Sequence, residues 1–403
     1  MLYNVDKDIM RPINHIIIVG GGSSAWLTAA LLFRKTDCKI TMVDKEEGQS
    51  IGVGEATLAS FKAFMDHCGF QFEEWFKATD ATHKTGILFP GWGKNKQAVW
   101  HPFQLDPMAQ PGATHPSYPI AFHLDCTKLV KFIQSKLSLT VIKSEVIKLD
   151  EKGLLLKNEQ RLQADLFVDC TGFKSLLQET PIVSLKDRLI CDTAIAGHVS
   201  YEDIGKEKIP YVISEAVECG WVWKIPLQSR IGTGIVFNKT ITPIQEAKQI
   251  FLNHWKQRVG PTKVLNWTPY YKKEFWKDNV VRIGLSAGFI EPLESTGLAL
   301  ITAGANQLLL ALSGIGVTQH DIALYNALIQ NFFEESIDFI GAHYTLNTRS
   351  ESFWRQARSQ LKKSKRQLLY SKSIKDGVLP PVRVRPVYSF FGGLNWLTWL
   401  KQQ

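Results

Sequence analysis

Residues 15–19 (HIIIV) run straight into GGGSSAW, and residues 39–44 (KITMVD) follow one helical stretch later and end on an acid. No other feature restricts the fold as tightly. A short β-branched run stopped by glycines predicts a buried strand, the apolar spacing of residues 23–34 predicts a helix, and 39–44 predicts a second strand. Together they make a βαβ unit, with parallel strands and the helix crossing between them. Gly20 and Gly22 take the first two positions of a G-x-G-x-x-G fingerprint, and Ala25 takes the third as a packing variant. Gly20 allows the tight turn, and Gly22 lets the backbone approach a pyrophosphate. The unpaired N–H groups that open the next helix, at Ser23, Ser24 and Ala25, then face the phosphate charge. Asp44 lies 24 residues after Gly20, where a carboxylate accepts hydrogen bonds from a ribose diol. A dinucleotide cofactor is the expectation.

Later segments favour FAD over NAD. DLFVDCTGF (165–173) and VVRIGLSAGFIEPLE (280–294) each pass from an apolar strand into small residues, as in FAD monooxygenase-like folds, where the chain returns to the cofactor. Asp169, Gly284 and Leu293 are assigned to the cofactor on these returns. Between them, residues 55–79 carry a helical pattern, 85–104 read as extended, 105–120 as a Pro-rich irregular loop and 125–137 as a helix. Residues 191–238 read as antiparallel strands, 243–258 as a helix, and 297–371 as mostly helical. The expected fold is α/β: a Rossmann-like FAD-binding domain of the flavin monooxygenase type, an intertwined antiparallel-sheet substrate lobe and a helical C-terminal region. The first two occupy residues 12–310. The flavin core falls at about 12–60, 140–175 and 275–310, the substrate lobe at about 80–135 and 180–270, and the helical region at 311–403.

Composition removes other classes. The chain has 403 residues, 45% hydrophobic and 21% charged, which supports a large core and excludes disorder. Its six cysteines, with no C-x-x-C pair, read as free thiols of a cytoplasmic protein. Ten scattered histidines show no metal spacing. No apolar run reaches the ~20 residues that span a bilayer, so no membrane is expected, and the first apolar run feeds a strand rather than a signal peptide. The net charge of +9 favours acidic partners. Lys362, Lys363, Lys365 and Arg366 read as a solvated helix face, and no nucleic-acid motif accompanies them.

The chain also carries SIGVGEAT (50–57), ATHKTGI (81–87), AFHLDCTKLVKFI (121–133), ADLFVDCTGFKSLL (164–177), GWVWKIPL (220–227), GLSAGFIEPLESTGL (284–298) and TRSESFW (348–354). With these motifs in this order it resembles the flavin-dependent halogenases of the tryptophan halogenase family. The resemblance implies FAD, supplied as FADH2 by a separate flavin reductase. With O2 and chloride or bromide, that flavin gives a hypohalous acid that reaches the substrate through a tunnel. Lys84 is then the tunnel lysine, and a buried ammonium has a lowered pKa and becomes a nucleophilic amine. Glu294 polarises the halogen donor and takes the ring proton. Thr296 and Gly297, at a helix start, bind halide. Trp221 and Trp223 share one face of a strand and line the region between flavin and substrate, and Ser295 belongs to the substrate pocket. Gly52, Val53, Gly54 and Glu55 form a strap that touches FAD, with glycines where the backbone departs from ordinary states.

The substrate side is read from the same resemblance. His101 and Phe103 would sandwich a flat ring, and Phe353, Trp354, Tyr344, Trp396 and Trp399 would add walls. Relatives that act on free tryptophan are longer, so the chamber is expected to be either more open or closed in a different way. An open basic mouth suits an aromatic group on an acidic carrier protein, or a peptide. The expected function is a halogenase acting on a pyrrole, indole or phenol. The alternatives are a flavin monooxygenase that hydroxylates an aromatic group, including one on a protein, and a flavin-binding accessory protein without catalysis.

Overall fold

The computed structural model describes residues 11–45, 52–103, 111, 119–378 and 389–402. Most of the loop expected at 105–120 and the Pro cluster of the tail lie outside them. A six-stranded sheet is built from six separate stretches of chain. Its strands are β1 (His15–Val19), β2 (Lys39–Asp44), β8 (Thr140–Lys143), β12 (Leu166–Asp169), β20 (Trp276–Lys277) and β21 (Val280–Arg282), in the order β20–β21–β12–β1–β2–β8. β1 pairs in parallel with β2 and with β12. Ile16, Ile17 and Ile18 are fully buried, which is why this strand reads as a continuous apolar run.

Helix α1 (Ser23–Lys35) packs against α4 (Cys126–Lys136) and α7 (Thr296–Ala311). Its Leu27, Leu31 and Leu32 have no exposed surface, and such burial contributes about 2 kcal/mol per leucine. Arg34 and Lys35 sit in its last turn, where cations complement the helix dipole.

A seven-stranded sheet forms the second lobe. It comprises β5 (Gly86–Phe89), β6 (Val99–Pro102), β14 (Thr193–Val199), β15 (Val212–Val217), β16 (Gly220–Pro226), β17 (Ile231–Phe237) and β18 (Lys263–Asn266), ordered β18–β14–β17–β16–β15–β5–β6. All its pairings are antiparallel except β15 with β5. Strand alternation sorts the residues of β16. Trp221 and Trp223 enter the main core, whereas Val222 joins a second cluster with Phe251 of α6 (Ile244–His254).

A small sheet joins the lobes in the order β3 (Glu55–Ala56), β7 (Ala121–Leu124), β4 (Thr82–Lys84). Two further three-stranded sheets are β9 (Val146–Asp150), β10 (Gly153–Leu156), β11 (Arg161–Leu162) and β13 (Ile182–Ser184), β19 (Tyr270–Lys272), β22 (Gly288–Phe289). The helical pattern read at 55–79 resolves into β3 and two short helices, α2 (Phe61–His67) and α3 (Phe72–Ala78). The break comes at Gly69, whose φ of +77° no helix continues through.

After a four-residue α5 (Ile204–Glu207) and α6, the C-terminal third is helical: α7, α8 (Gln319–Leu346), α9 (Ser352–Gln360), α10 (Lys365–Lys375) and α11 (Gly393–Lys401). The long α8 opens on a capping box between Thr318 and Asp321. Among the described residues no helix is long and apolar enough to cross a membrane, and no cluster of metal-ligating side chains occurs.

Candidate active site

Three returns of the chain meet at the start of α1. A Cβ on Gly20, at φ +137°, would lie 2.3 Å from the carbonyl oxygen of Cys170, just past β12. One on Gly284, at φ +80°, would lie 2.7 Å from Ser24. Among the described residues, one on Gly22 would meet nothing within 4 Å and no side chain caps the helix, an arrangement that suits a pyrophosphate at the first-turn N–H groups. At Gly21, passed over in the fingerprint reading, a Cβ would lie 2.1 Å from the Asp44 carboxylate. Asp44 ends β2 as expected and pairs with Lys143 at 3.0 Å. Asp169 has its carboxylate bonded to Thr171 and Leu177, so its side chain holds the turn after β12. Leu293 is buried in the main core, and Ala25 is buried in α1.

Residues 52–55, the expected strap, open the next described stretch of chain after Lys45. Gly52 and Gly54 have φ of +56° and +84°. Arg230 donates to the Gly52 carbonyl and pairs with Asp125 at 2.8 Å. A Cβ on Gly232 would lie 1.6 Å from the Val53 carbonyl oxygen, so the strap lies directly on β17. Glu55 is exposed, and desolvation by the surrounding chain, then the nearby Asp125, shift its carboxyl upward. Two residues on, the Thr57 carbonyl accepts a hydrogen bond from Lys84 Nζ at 3.0 Å.

Lys84 has no exposed surface. Its Nζ lies 4.8 Å from the centre of the Phe103 ring. Burial lowers its pKa to about 7 against the opposing pull of the Glu294 charge. The amine and the ammonium are thus both populated near neutrality.

Glu294, equally buried, is held by two histidines. His101 Nδ1 lies 3.0 and 3.1 Å from its two oxygens, and His343 Nε2 lies 2.6 Å from Oε1. Burial alone would raise this carboxyl, but His101 and His343 outweigh it and hold it at about 2. The proton positions follow from the partners. His343 Nδ1 lies 2.7 Å from the Phe339 carbonyl, which only accepts, so Nδ1 carries a proton, while burial lowers the pKa of the ring against the opposing pull of Glu294. Asn395 Nδ2 donates to His101 Nε2 at 3.0 Å, so the His101 proton is on Nδ1 and points at Glu294.

These bonds correct the role expected of His101. Both its nitrogens are engaged, and its ring packs on Phe339 at 5.3 Å, so it offers no open face to a flat substrate. It orients Glu294 instead, because β6 aims it inward. Helix α11 folds back onto β6, Trp399 stacks on His343 with centroids 3.6 Å apart, and Trp396 packs edge-on against Phe339 at 5.2 Å. Gln402 bonds both the N–H and the carbonyl of Trp100.

Behind Glu294 a second polar chain crosses the core. Trp221 Nε1 donates to the Tyr344 hydroxyl at 2.9 Å, which donates to Glu291 at 2.5 Å. Burial raises the Glu291 carboxyl to about 8 against that bond. Trp223 lies 6.2 Å from Trp221. Phe353 and Trp354 make their ring contacts with Tyr344 and, for Trp354, Trp92, reaching the site through Tyr344. Ser295, at φ +60°, turns the chain into α7. Next to it the buried Thr296 hydroxyl has no partner among the described residues, and Gly297 has open space beside it. Sequence reading missed His343, Glu291 and Asn395. Glu291 lay within the EPLE run, whereas nothing local marked the other two.

The family model described as tryptophan halogenase matches residues 15–118 and 104–375. The tryptophan 6-halogenase ThaL of Streptomyces albogriseolus is 28% identical, over 91% of this chain and 81% of its own length. A flavin-dependent halogenase from Xanthomonas campestris superposes with a TM-score of 0.87 at 26% identity, over 97% of this chain and 89% of that one. The flavin-dependent halogenase BrvH from a Brevundimonas species gives 0.83 at 28% identity, over 96% and 88%.

Proposed function

The chain belongs to the tryptophan halogenase family, and on that premise we propose that it is an FADH2-dependent halogenase delivering an electrophilic halogen through Lys84 to an electron-rich aromatic ring. The observation that carries this reading is the state of Lys84: fully buried, fastened to the strap through Thr57, and poised as an amine near neutral pH.

Gly20, Gly22, the start of α1, Asp44 and the strap residues 52–55 would hold FAD. When bound, reduced flavin with O2 and chloride or bromide supplies the oxidised halogen. The Thr296 hydroxyl, without a partner among the described residues, and the N–H groups at the start of α7 suit a halide. Lys84 takes the halogen onto its nitrogen, with its lone pair available because burial disfavours the charge. Phe103 flanks that nitrogen and excludes water. Glu294, kept ionised by His101 and His343, accepts the proton that the ring loses on substitution. Trp221, fixed by Tyr344, walls the aromatic substrate from the flavin side.

The substrate class is a pyrrole, indole or phenol, free or tethered to a carrier protein, and a separate reductase supplies the FADH2. A cytoplasmic location fits the free thiols. The test supplies reduced FAD and bromide to a panel of free and carrier-bound aromatics, read by mass spectrometry. Bromide-dependent addition of bromine supports the proposal. Addition of oxygen independent of halide overturns it in favour of a hydroxylase.

A further inference from the structure

One buried histidine has no part in the reading above. In the small sheet, Thr82 stands opposite His123 and Lys84 opposite Ala121. The side chains of Thr82, Lys84 and His123 therefore rise from one face, with Lys84 the diagonal neighbour of His123. The Thr82 hydroxyl donates to the Pro226 carbonyl, so its oxygen accepts from His123 Nδ1, 2.7 Å away. The ring proton is then on Nδ1, and Nε2 carries a bare lone pair.

Nε2 is buried and has no partner among the described residues. An acceptor left this way costs free energy unless something fills it. On the same face, the hydrogen bond to Thr57 uses one of the Lys84 donors. Burial, and then the Lys84 charge, hold the His123 imidazole well below its ordinary range, which keeps it a neutral acceptor.

Resting on the halogenase reading, we propose that His123 Nε2 is the second holding point for the halogen donor at Lys84, accepting the O–H of the hypohalous acid so that the halogen faces the lysine nitrogen. The amine lone pair attacks the halogen. The N–halogen bond forms as the O–halogen bond breaks, and a proton passes from nitrogen to the departing hydroxide. Amine and hypohalous acid become haloamine and water, and the water is left on His123.

Two measurements test this. Long-range 1H–15N spectra of the ligand-free protein, with the His123 signals assigned by difference from His123→Asn, should show a neutral ring protonated on Nδ1. A proton on Nε2 overturns the proposal. With reduced FAD and bromide, the wild type is read first for brominated product and for free hypobromous acid caught by an enolisable diketone. His123→Asn keeps an N–H for Thr82 and removes the acceptor. Product per flavin oxidised should fall about tenfold, the equivalent of one hydrogen bond, while trapped oxidant rises. His123→Gln, which carries an acceptor to the Nε2 position, should recover most of the loss. An unchanged partition in His123→Asn, or equal losses in both variants without extra trapped oxidant, overturns the proposal alone. A wild type that gives neither product nor trapped oxidant overturns the halogenase reading and the proposal with it.

Discussion

Lys84 Nζ donates to the carbonyl oxygen of Thr57 across 3.0 Å. That bond ties the buried amine to the chain segment whose other end, Gly52 to Glu55, lies on β17. Thr57 lies five residues or fewer along the chain from that segment, so a displacement there is felt at the lysine.

Lys84→Met should leave flavin oxidation intact and reduce ring halogenation by more than about 1,000-fold, since positioning of the halogen is lost. Stability has its own signature. The folded pKa of about 7 lies below the ordinary 10.5, so the unfolded chain binds the extra proton between those values and stability rises with pH across that window. Urea titrations at pH 6.5 and 9.5 should show this rise in the wild type and a smaller one in the variant.

Glu294→Gln should lower ring halogenation by about 100-fold, the contribution of a positioned base, while oxidant still reaches Lys84 and is trapped by a diketone. The carboxyl is held at about 2, below its ordinary 4.5. Its stabilising contribution is therefore present above pH 4.5 and lost as the pH falls towards 2. Acid unfolding followed by tryptophan fluorescence should show that loss in the wild type and not in the variant.

Tyr344→Phe removes the hydroxyl between Trp221 and Glu291. Trp221 Nε1, Glu291 and the Cys191 thiol, 3.3 Å away, lose their shared partner, at a cost of about 3 kcal/mol, measurable by denaturant titration. Glu291→Gln tests the acid itself. With its pKa raised from 4.5 to about 8, the folded protein holds a proton that the unfolded chain releases, so stability falls as pH rises between those values. The glutamine variant should lack that fall.

Gly232→Ala should weaken FAD binding without unfolding the protein, because the new methyl group must displace the Val53 carbonyl of the strap. Fluorescence titration with FAD reads the loss, and an affinity equal to wild type would refute the placement of the strap beside the cofactor.

Trp399→Ala removes the ring stacked on His343. It should cost about 3–5 kcal/mol and loosen the Glu294 pair, so that halogenation falls even in samples shown by circular dichroism to be folded.

The βαβ unit was legible because its signals are local. A β-branched run, glycines and a terminal acid specify strand, turn and strand within thirty residues, and the structure has them at 15–19, 23–35 and 39–44. The alternation around Val222 likewise put Trp221 and Trp223 on one face. The helical reading of 55–79 failed at Gly69, because periodicity alone does not say whether a glycine interrupts a helix or ends it.

The sequence by itself determined the strands, the glycine turns and the family motifs, since each depends on residues a few positions apart. Only the tertiary structure decided what the site groups do. Glu294 is ionised because His101, 193 residues earlier, and His343, 49 later, converge on it. Asn395 and Trp399 reach His101 and His343 from the far end of the chain. Protonation depends on which dipoles and charges share a buried volume, and that neighbourhood exists only once the chain has folded.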